Sequence, residues 1–433
     1  MNAASSSRHI ALSFLGNLFP PMAVLVTSPV LARSLGVDAR GDLAAATAPF
    51  LLAVAIGTLG IPDAVTNAFA RRSSLSRRTW ATVSAALLAA AATAVLVIWL
   101  ASPVLSAGGA PDLAIVMTVA TAATAPGLIV ALLRGSAMGS HRWGLVAGER
   151  VLNGLLRMAG IVGFALAGQL TLVTATAVTV LGPVVAGVAY LGLATRSAGT
   201  LRPFVGSTST RAVMGYGMRA WLGSVAGILL MRIDQLLILP LAGPTQLGLY
   251  AVAVNVSEVP LIINSATREV MFSSDAAERD NAKASLAART TFVACLLFSL
   301  VVFAPIEWWL PLLFGEEFRG AIPVALLACV AVLVGVPGSI AGSTLSARGR
   351  PELRSYSILV ACIVNLVVLI LVLPSWGGMG AAFATLVGNL ISSNMVIAWA
   401  VRLHGFRWGD FYRVRASDLA ALVNGVCRLL RRS

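Results

Sequence analysis

Apolar runs of about 20 residues recur from end to end of this 433-residue chain, each long enough to cross a ~30 Å hydrocarbon layer as a helix. No other feature constrains the fold as strongly, because a backbone in lipid must satisfy its own amide groups, and only helices and closed barrels do so. The runs are continuous and do not alternate residue by residue, so helices are expected and a barrel is not. Composition agrees: 58% of residues are hydrophobic and 11% charged, against roughly 25% charged in ordinary soluble domains, which excludes a soluble enzyme. The predicted fold class is an all-α polytopic membrane protein of about twelve transmembrane helices. The spans run approximately 10–34, 43–69, 79–101, 112–133, 145–167, 171–194, 212–240, 247–271, 287–306, 321–345, 355–373 and 379–401.

A net charge of +14 would suggest a nucleic-acid partner in a soluble protein, but here the placement of the charge matters more than its sum. With the N-terminus inside, 24 of the 31 lysines and arginines fall in predicted cytoplasmic segments, among them Arg71, Arg72, Arg77, Arg78, Arg134, Arg142, Arg150, Arg348 and Arg350. Only Arg33, Arg40 and Arg319 fall outside or at the outer edge, and Arg157, Arg219, Arg232 and Arg268 lie within spans. The positive-inside rule therefore predicts a multi-pass protein with both termini cytoplasmic, and the expected location is a bacterial-type cell membrane. The first apolar run is too long for a cleavable signal and is expected to remain as span one. Cys295, Cys329 and Cys362 lie within spans and Cys427 in the inner tail, so no disulfide or thiolate metal site is expected.

The chain also repeats itself. Gly36-Val-Asp-Ala-Arg-Gly41 after span one matches Gly243-Pro-Thr-Gln-Leu-Gly248 after span seven, 207 residues on. Pro126-Gly127 and Ser136-Ala137-Met138-Gly139 of span four are echoed by Pro337-Gly338 and Ser346-Ala347-Arg348-Gly349 of span ten. Ala177–Gly182 of span six answers Phe383–Gly388 of span twelve. Three matches in one order at nearly one offset imply duplication, and an even number of spans per repeat makes the halves parallel. The expected organisation is a six-helix repeat over 1–194, a cytoplasmic linker over 195–211, a second six-helix repeat over 212–401 and a basic cytoplasmic tail over 402–433, with the repeats around a central cavity.

Four passages resemble the polysaccharide-biosynthesis flippases of the multidrug, oligosaccharidyl-lipid and polysaccharide exporter superfamily. They are Leu31-Ala-Arg-Ser-Leu-Gly36 running to Gly41, Leu59-Gly-Ile-Pro-Asp-Ala-Val-Thr-Asn67 with Ala70-Arg71, Ile233-Asp234 running through Gly243 to Gly248-Leu-Tyr250, and Gly377-Gly-Met-Gly-Ala-Ala-Phe-Ala-Thr385. The likeness covers nearly the whole chain. It implies outward movement of a lipid-linked oligosaccharide by alternating access, without an ATPase domain, and the chain has no phosphate-binding Gly-x-x-x-x-Gly-Lys loop. Implied partners are the lipid-linked substrate, the bilayer and polysaccharide-assembly enzymes. No cofactor is expected beyond coupling to a proton or sodium gradient.

Ionisable side chains inside spans are costly, at least ~2.5–3.5 kcal/mol at mid-bilayer on insertion scales, and so mark candidate sites. Arg150, Asn153 and Arg157 make a stripe on span five suited to a diphosphate, since arginine offers a fork of donors that matches phosphate oxygens. The alternative is snorkelling to headgroups with Glu149 as neighbour. Arg232 and Asp234 on span seven point to different sides. Arg232 either meets a phosphate or pairs with an acid, and Asp234 either binds a coupling ion or braces the bundle. Glu258 is the deepest acid of span eight and is expected to share a lumen-lining face with Asn255, Ser265 and Glu269, or else to pair with another helix. Asp63 after Pro62 is a candidate for ion coupling, with pairing to the following arginines as its rival. Asn17, with Pro20 and Pro21, marks a bent span one.

The longest outer segment, Pro305 to Arg319, reads as a loop with Trp308 and Trp309 as interface anchors and leaves no room for a catalytic domain. His9, His141 and His404 are isolated, and the basic, apolar tail after Arg402 is expected to lie on the anionic inner leaflet. Two rival functions remain at this level. An exporter of small organic cations should favour an acidic, aromatic pocket. A membrane glycan polymerase or ligase should carry an outer loop with catalytic acids or histidines, so the chain is read as a transporter and not an enzyme.

Overall fold

The computed structural model describes residues 3–71, 73–190, 206–413, 415 and 418; the side chains of Asn17, Arg219 and Glu269 fall outside that description. The elements in order are α1 (Ala3–Gly57), α2 (Ile61–Ala70), β1 (Ser73–Leu75), α3 (Arg77–Leu105), α4 (Leu113–Ala122), α5 (Thr124–Gly139), α6 (Trp143–Leu166) and α7 (Leu172–Ala186). They continue with β2 (Gly206–Thr208), α8 (Thr210–Ser257), α9 (Leu261–Glu278), α10 (Asn281–Phe303), α11 (Ile306–Phe314), α12 (Ala321–Ala347), α13 (Pro351–His404) and α14 (Gly409–Tyr412). Eight helical stretches among the described residues are long and apolar enough to cross a membrane.

A straight helix of 55 residues would be roughly 80 Å long, more than twice the hydrocarbon thickness. The three longest helices avoid this by bending where a glycine leaves helical geometry: Gly36 in α1 (φ 78°), Gly243 in α8 (φ 87°) and Gly377 in α13 (φ 53°). Positive φ is cheap only without a Cβ, so the bends sit at glycines. After Gly377 the chain doubles back, and Gly380 sits against the backbone of Val372 and Leu373. Shorter interruptions divide the next spans. Residues 58–60 separate α1 from α2, with Leu59 and Gly60 left-handed, and residues 258–260 separate α8 from α9 ahead of the Pro260 ring.

The all-α class holds, with one addition that the sequence did not signal: β1 and β2 form a short parallel pair in the register Ser73 to Gly206, Ser74 to Ser207 and Leu75 to Thr208. One sequence expectation needs correction here. The segment from Pro305 to Arg319 is not a loop: it holds α11 and a 3-10 turn over Glu316–Gly320. Pro305 precedes the first turn of α11, where a missing N–H costs nothing. Trp309 donates from Nε1 to the Val302 carbonyl at 2.8 Å, while Trp308 stands exposed as an anchor.

The chain divides into two compact units, one comprising 1–228 and 235–251, the other 229–234 and 252–433. In the first, Ile61, Val65, Leu87, Leu128, Leu132 and Val213 form a buried cluster. In the second, Ile340, Leu345, Val396 and Ile397 pack with Phe406 and Phe411. The start of the predicted tail is therefore part of a core. Large apolar side chains lie outward on α3 (Leu96, Trp99, Leu100, Val104) and α13 (Ile363, Val367, Leu371), as faces bathed in lipid require.

The duplication has physical counterparts. Within the first unit the turns 36–41 and 243–248 touch reciprocally: a Cβ on Gly41 would meet the Pro244 carbonyl, and one on Gly248 would meet that of Val37. Thr245 donates to Asp38 Oδ1 at 2.6 Å, and these two residues are themselves 207 apart. In each unit a glycine of the last span of the repeat also faces an asparagine of the span before, Gly182 with Asn153 and Gly388 with Asn365.

Candidate functional site

Helices α1 and α6 run in the same direction through the first unit, side by side at glycines. A Cβ on Gly16 would contact Ala147 and stand 3.8 Å from the Arg150 side chain, and one on Gly154 would strike Phe19 and approach Ala23 at 3.4 Å. Further along, Arg157 donates from Nε to Thr27 Oγ1 at 3.4 Å. Arg150, Asn153 and Arg157 thus lie along one seam. At 1.5 Å per residue Arg150 stands roughly 10 Å and Arg157 roughly 21 Å from the start of α6 at Trp143.

Glu149 does not neutralise this stripe. Only 1% exposed, it accepts from Arg134 Nε at 3.1 Å and Nη2 at 2.9 Å, and from the Tyr190 hydroxyl at 3.3 Å. Arg134, expected at a cytoplasmic edge, instead binds the helix α6 acid from α5 through its two-toothed fork. Among the described residues no carboxylate contacts Arg157. Asn153 presents Oδ1 toward Gly182 of α7.

The second unit contains a different arrangement. Arg232 Nη2 is 4.0 Å from Glu258 Oε2, both side chains about 30% exposed. That separation is long and wet enough for a weak pair. Of the two alternatives for Arg232, the structure shows a loose pairing with an acid, which follows the Gly243 bend. Glu258 lies in the interruption at 258–260, so the single helical face drawn through Asn255, Glu258, Ser265 and Glu269 is broken there. Asn255 lies before the break, Ser265 bonds its own helix at Ile262, and the side chain of Glu269 lies outside the described residues. Asp234 is buried, as is Asn365, whose Oδ1 has no hydrogen-bond partner.

Asp63 is exposed on α2 and makes no ion pair among the described residues, and Arg72, one of the arginines that follow it, lies outside them. Its neighbours turn elsewhere: Thr66 donates to the Gly135 carbonyl at 2.9 Å, and Asn67 accepts from Arg71 at 3.2 Å. The side chain of Asn17 lies outside the described residues.

Several arginines counted only as topology signals prove to be built in. Arg348 grips Asp275 at 2.7 and 2.8 Å, donates to Asn281 at 2.7 Å and lies 5.2 Å from the Phe406 ring centroid. Arg289 donates to both Asp418 oxygens, at 2.9 and 3.3 Å, and to the Asp410 carbonyl. The described start of the tail thus folds onto the second unit. Burial pushes the Asp418 carboxyl up, but the bonds from Arg289 and the Arg415 backbone, with the charges of both arginines, hold it below the usual carboxylate range. Arg40, read as an outer-edge charge, is only 7% exposed. No local spacing rule signals these partners, which are 15 to 129 residues apart in sequence.

Long bent helices, paired interruptions and a repeated glycine turn define a polytopic transporter fold. Its family is the one described as polysaccharide biosynthesis protein, which matches residues 6–272, more than half of the chain, and the protein belongs to it. Comparison with curated protein sequences finds no match. Among solved structures the chain is similar to the lipid II flippase MurJ in an inward closed conformation, at 12% identity and a TM-score of 0.73, over 96% of this chain and 92% of that one. It is also similar to an inward-facing multidrug resistance MATE family transporter of the MOP superfamily, at 16% identity and a TM-score of 0.61, over 90% and 97%. A MOP superfamily transporter from Pyrococcus furiosus, described by the reverse polarity of its binding pocket, matches at 15% identity and a TM-score of 0.55, over 90% and 93%.

Proposed function

We propose that this protein is a flippase that carries a polyprenyl-diphosphate-linked oligosaccharide or related glycolipid from the cytoplasmic to the outer leaflet by alternating access, for cell-surface polysaccharide assembly. The observation that carries the reading is the α1–α6 seam, where Arg150, Asn153 and Arg157 follow one another and where, among the described residues, no carboxylate contacts Arg157. Positive charge held within a span is expensive unless an anion accompanies it, and a diphosphate supplies one. Membership in the polysaccharide biosynthesis family and likeness to a lipid II flippase support the same substrate class.

Transport, not catalysis, is the proposed activity, and both termini are cytoplasmic, as the 24-to-3 distribution of basic residues favours. Coupling to protons or sodium falls to Asp234, Glu258 or Asp63, of which Asp234 is buried. The second reading, export of small organic cations, draws on the MATE neighbours and on the half-exposed Glu258. Reconstitution in liposomes separates the two. A polyprenyl-diphosphate glycolipid should change leaflet with the protein present, read by a membrane-impermeant glycosidase. Uptake of an organic cation with no glycolipid movement would overturn the flippase reading.

A further inference from the structure

The segment that follows the last span turns back along it. Phe406 and Phe411, their ring centroids 5.2 Å apart, are buried in the second unit beside Val396, Ile397 and Ala400 of α13. The Tyr412 hydroxyl donates to Asn394 Oδ1 at 2.9 Å, and Asn394 stands ten residues before His404, roughly 15 Å back from the end of α13. Asp418 meets Arg289, eight residues and roughly 12 Å into α10. The backbone between is satisfied locally: the Arg407 N–H donates to Asp410 Oδ2 at 2.9 Å, the Arg415 N–H to Asp418 Oδ2 at 2.8 Å, and the Asp410 carbonyl accepts from Arg289 at 3.0 Å. Irregular backbone at membrane depth requires such satisfaction. The remaining side chains form an opposite face. Arg402, Arg407, Arg413 and Arg415 are exposed, and Leu403, Trp408 and Tyr412 are nearly half exposed. Asp410 and Asp418 are the only acids after Glu352, and both are taken up by the segment's own backbone or by Arg289.

We infer that the exposed face of residues 402–415 is a binding surface for the headgroups of anionic phospholipids in the leaflet at this end of the bundle. Arginine forks match the phosphate oxygens, and tryptophan and tyrosine rings settle at headgroup level with the apolar body inward and the polar edge outward. Four cations without an exposed acid among them select a lipid of net negative charge over a zwitterionic one. The surface is continuous with a lipid-facing flank of α13: Leu390, one turn before Asn394, is an exposed apolar side chain. A soluble acidic partner would meet the same arginines but would leave Leu403 and Trp408 in water beside that flank. The tail therefore divides its work between two faces, Phe406, Phe411 and Asp418 fastening it to the second unit and the arginines and Trp408 meeting lipid. The inference rests on the proposed orientation only for calling that leaflet the inner one.

Two readouts on the purified full chain test this. In detergent, dioleoyl phosphatidylglycerol should raise the thermal midpoint in a saturable way, and dioleoyl phosphatidylcholine should not. Each arginine near an anionic surface is worth roughly fivefold in affinity, so the double variant Arg407→Gln, Arg413→Gln should raise the half-maximal phosphatidylglycerol concentration by at least about tenfold. Arg77→Gln with Arg78→Gln removes the same charge from the exposed start of α3 and should leave that concentration nearly unchanged. The second readout needs no arginine variant. In phosphatidylcholine nanodiscs the fluorescence of Trp408, taken as the difference between the wild type and Trp408→Phe, should be quenched more by brominated phosphatidylglycerol than by brominated phosphatidylcholine at the same mole fraction, and little by aqueous acrylamide. Equal shifts from the two double variants, or no dependence on phosphatidylglycerol, would overturn the inference. Trp408 quenched by acrylamide and by neither brominated lipid would also overturn it and leave the face to a soluble acidic partner. Equal quenching by the two brominated lipids would place the segment in the bilayer but overturn the selection of an anionic headgroup. None of these outcomes depends on transport, so failure here leaves the flippase reading standing, and failure in liposomes leaves the lipid surface standing.

Discussion

At the scale of single residues, similar arginines divide by what faces them. Arg134 holds Glu149 through two bonds, and the acid is buried, so removing either partner strands a charge. Breaking a buried pair costs about 3–5 kcal/mol, and the low end applies because Arg134 keeps a third of its surface in contact with solvent. Glu149→Ala should therefore lower thermal stability by roughly 3 kcal/mol and reduce the yield of folded protein, with Tyr190 left unbonded as well. Arg157→Ala should do the opposite. Among the described residues it makes one long hydrogen bond, so stability should change little while affinity for a diphosphate headgroup falls about ten- to hundredfold, the effect of losing a charged hydrogen bond of roughly 1.5–3 kcal/mol. Binding and melting measured on the same two preparations check both; matched losses of stability would make Arg157 a brace. The sequence pointed to Arg157 because a charge inside an apolar run stands out. It pointed to neither Glu149's partner nor Arg40's burial, since both depend on which helix lies alongside.

Among the elements, the glycine turns bear the most weight. Gly41 and Gly248 let two turns meet backbone to backbone, and a methyl on either would fall on a carbonyl that cannot swing aside. Gly41→Ala and Gly248→Ala should each cost on the order of 1–3 kcal/mol, the usual range for overpacking, and the double variant should cost less than the sum because the first separation relieves the second. Thermal melting of the three variants decides it. The tail is the other element with a definite expectation. Because the Asp418 carboxyl is held below its usual range, its clasp to Arg289 is fully present at neutral pH and above, and is lost as pH falls through the lowered value in the folded protein. Limited proteolysis after Arg413, with an acid-tolerant protease, should therefore be slow at pH 7 and accelerate only once the pH falls below the usual carboxylate range, whereas Asp418→Asn should be cleaved quickly throughout. Spacing rules anticipated neither feature in full: Gly36 and Gly243 were visible as a repeat, but that the two turns touch each other was not, and the basic composition of the tail concealed one buried aspartate.

For the whole molecule, the apolar runs made the helical membrane fold legible, and the offset of 207 residues made the duplication legible. The short parallel strand pair was not, because three residues carry no periodicity, and neither were the interruptions at 58–60 and 258–260, where one turn changes inside an otherwise apolar run. That strand pair joins Ser74 to Ser207, so both must lie at one end of the first unit. With the basic residues inside, cysteines introduced at these two positions should resist an impermeant reagent in intact cells while one at Ala107 reacts; the reverse pattern would invert the orientation. Duplication also makes a prediction about motion. Asp38 and Thr245 stand at matching positions 207 residues apart and bond across the two turns. On the proposed orientation these turns lie on the outer side, and a glycolipid head that leaves between them requires the turns to part. With their side-chain oxygens 2.6 Å apart, cysteines at 38 and 245 are close enough to be bridged by a mild oxidant. The bridged protein should lose glycolipid movement in liposomes and regain it on reduction, while each single cysteine variant transports with or without oxidant. Transport at the full rate with the bridge intact would show that the outer turns stay together throughout the cycle, and the head would then have to leave by another route.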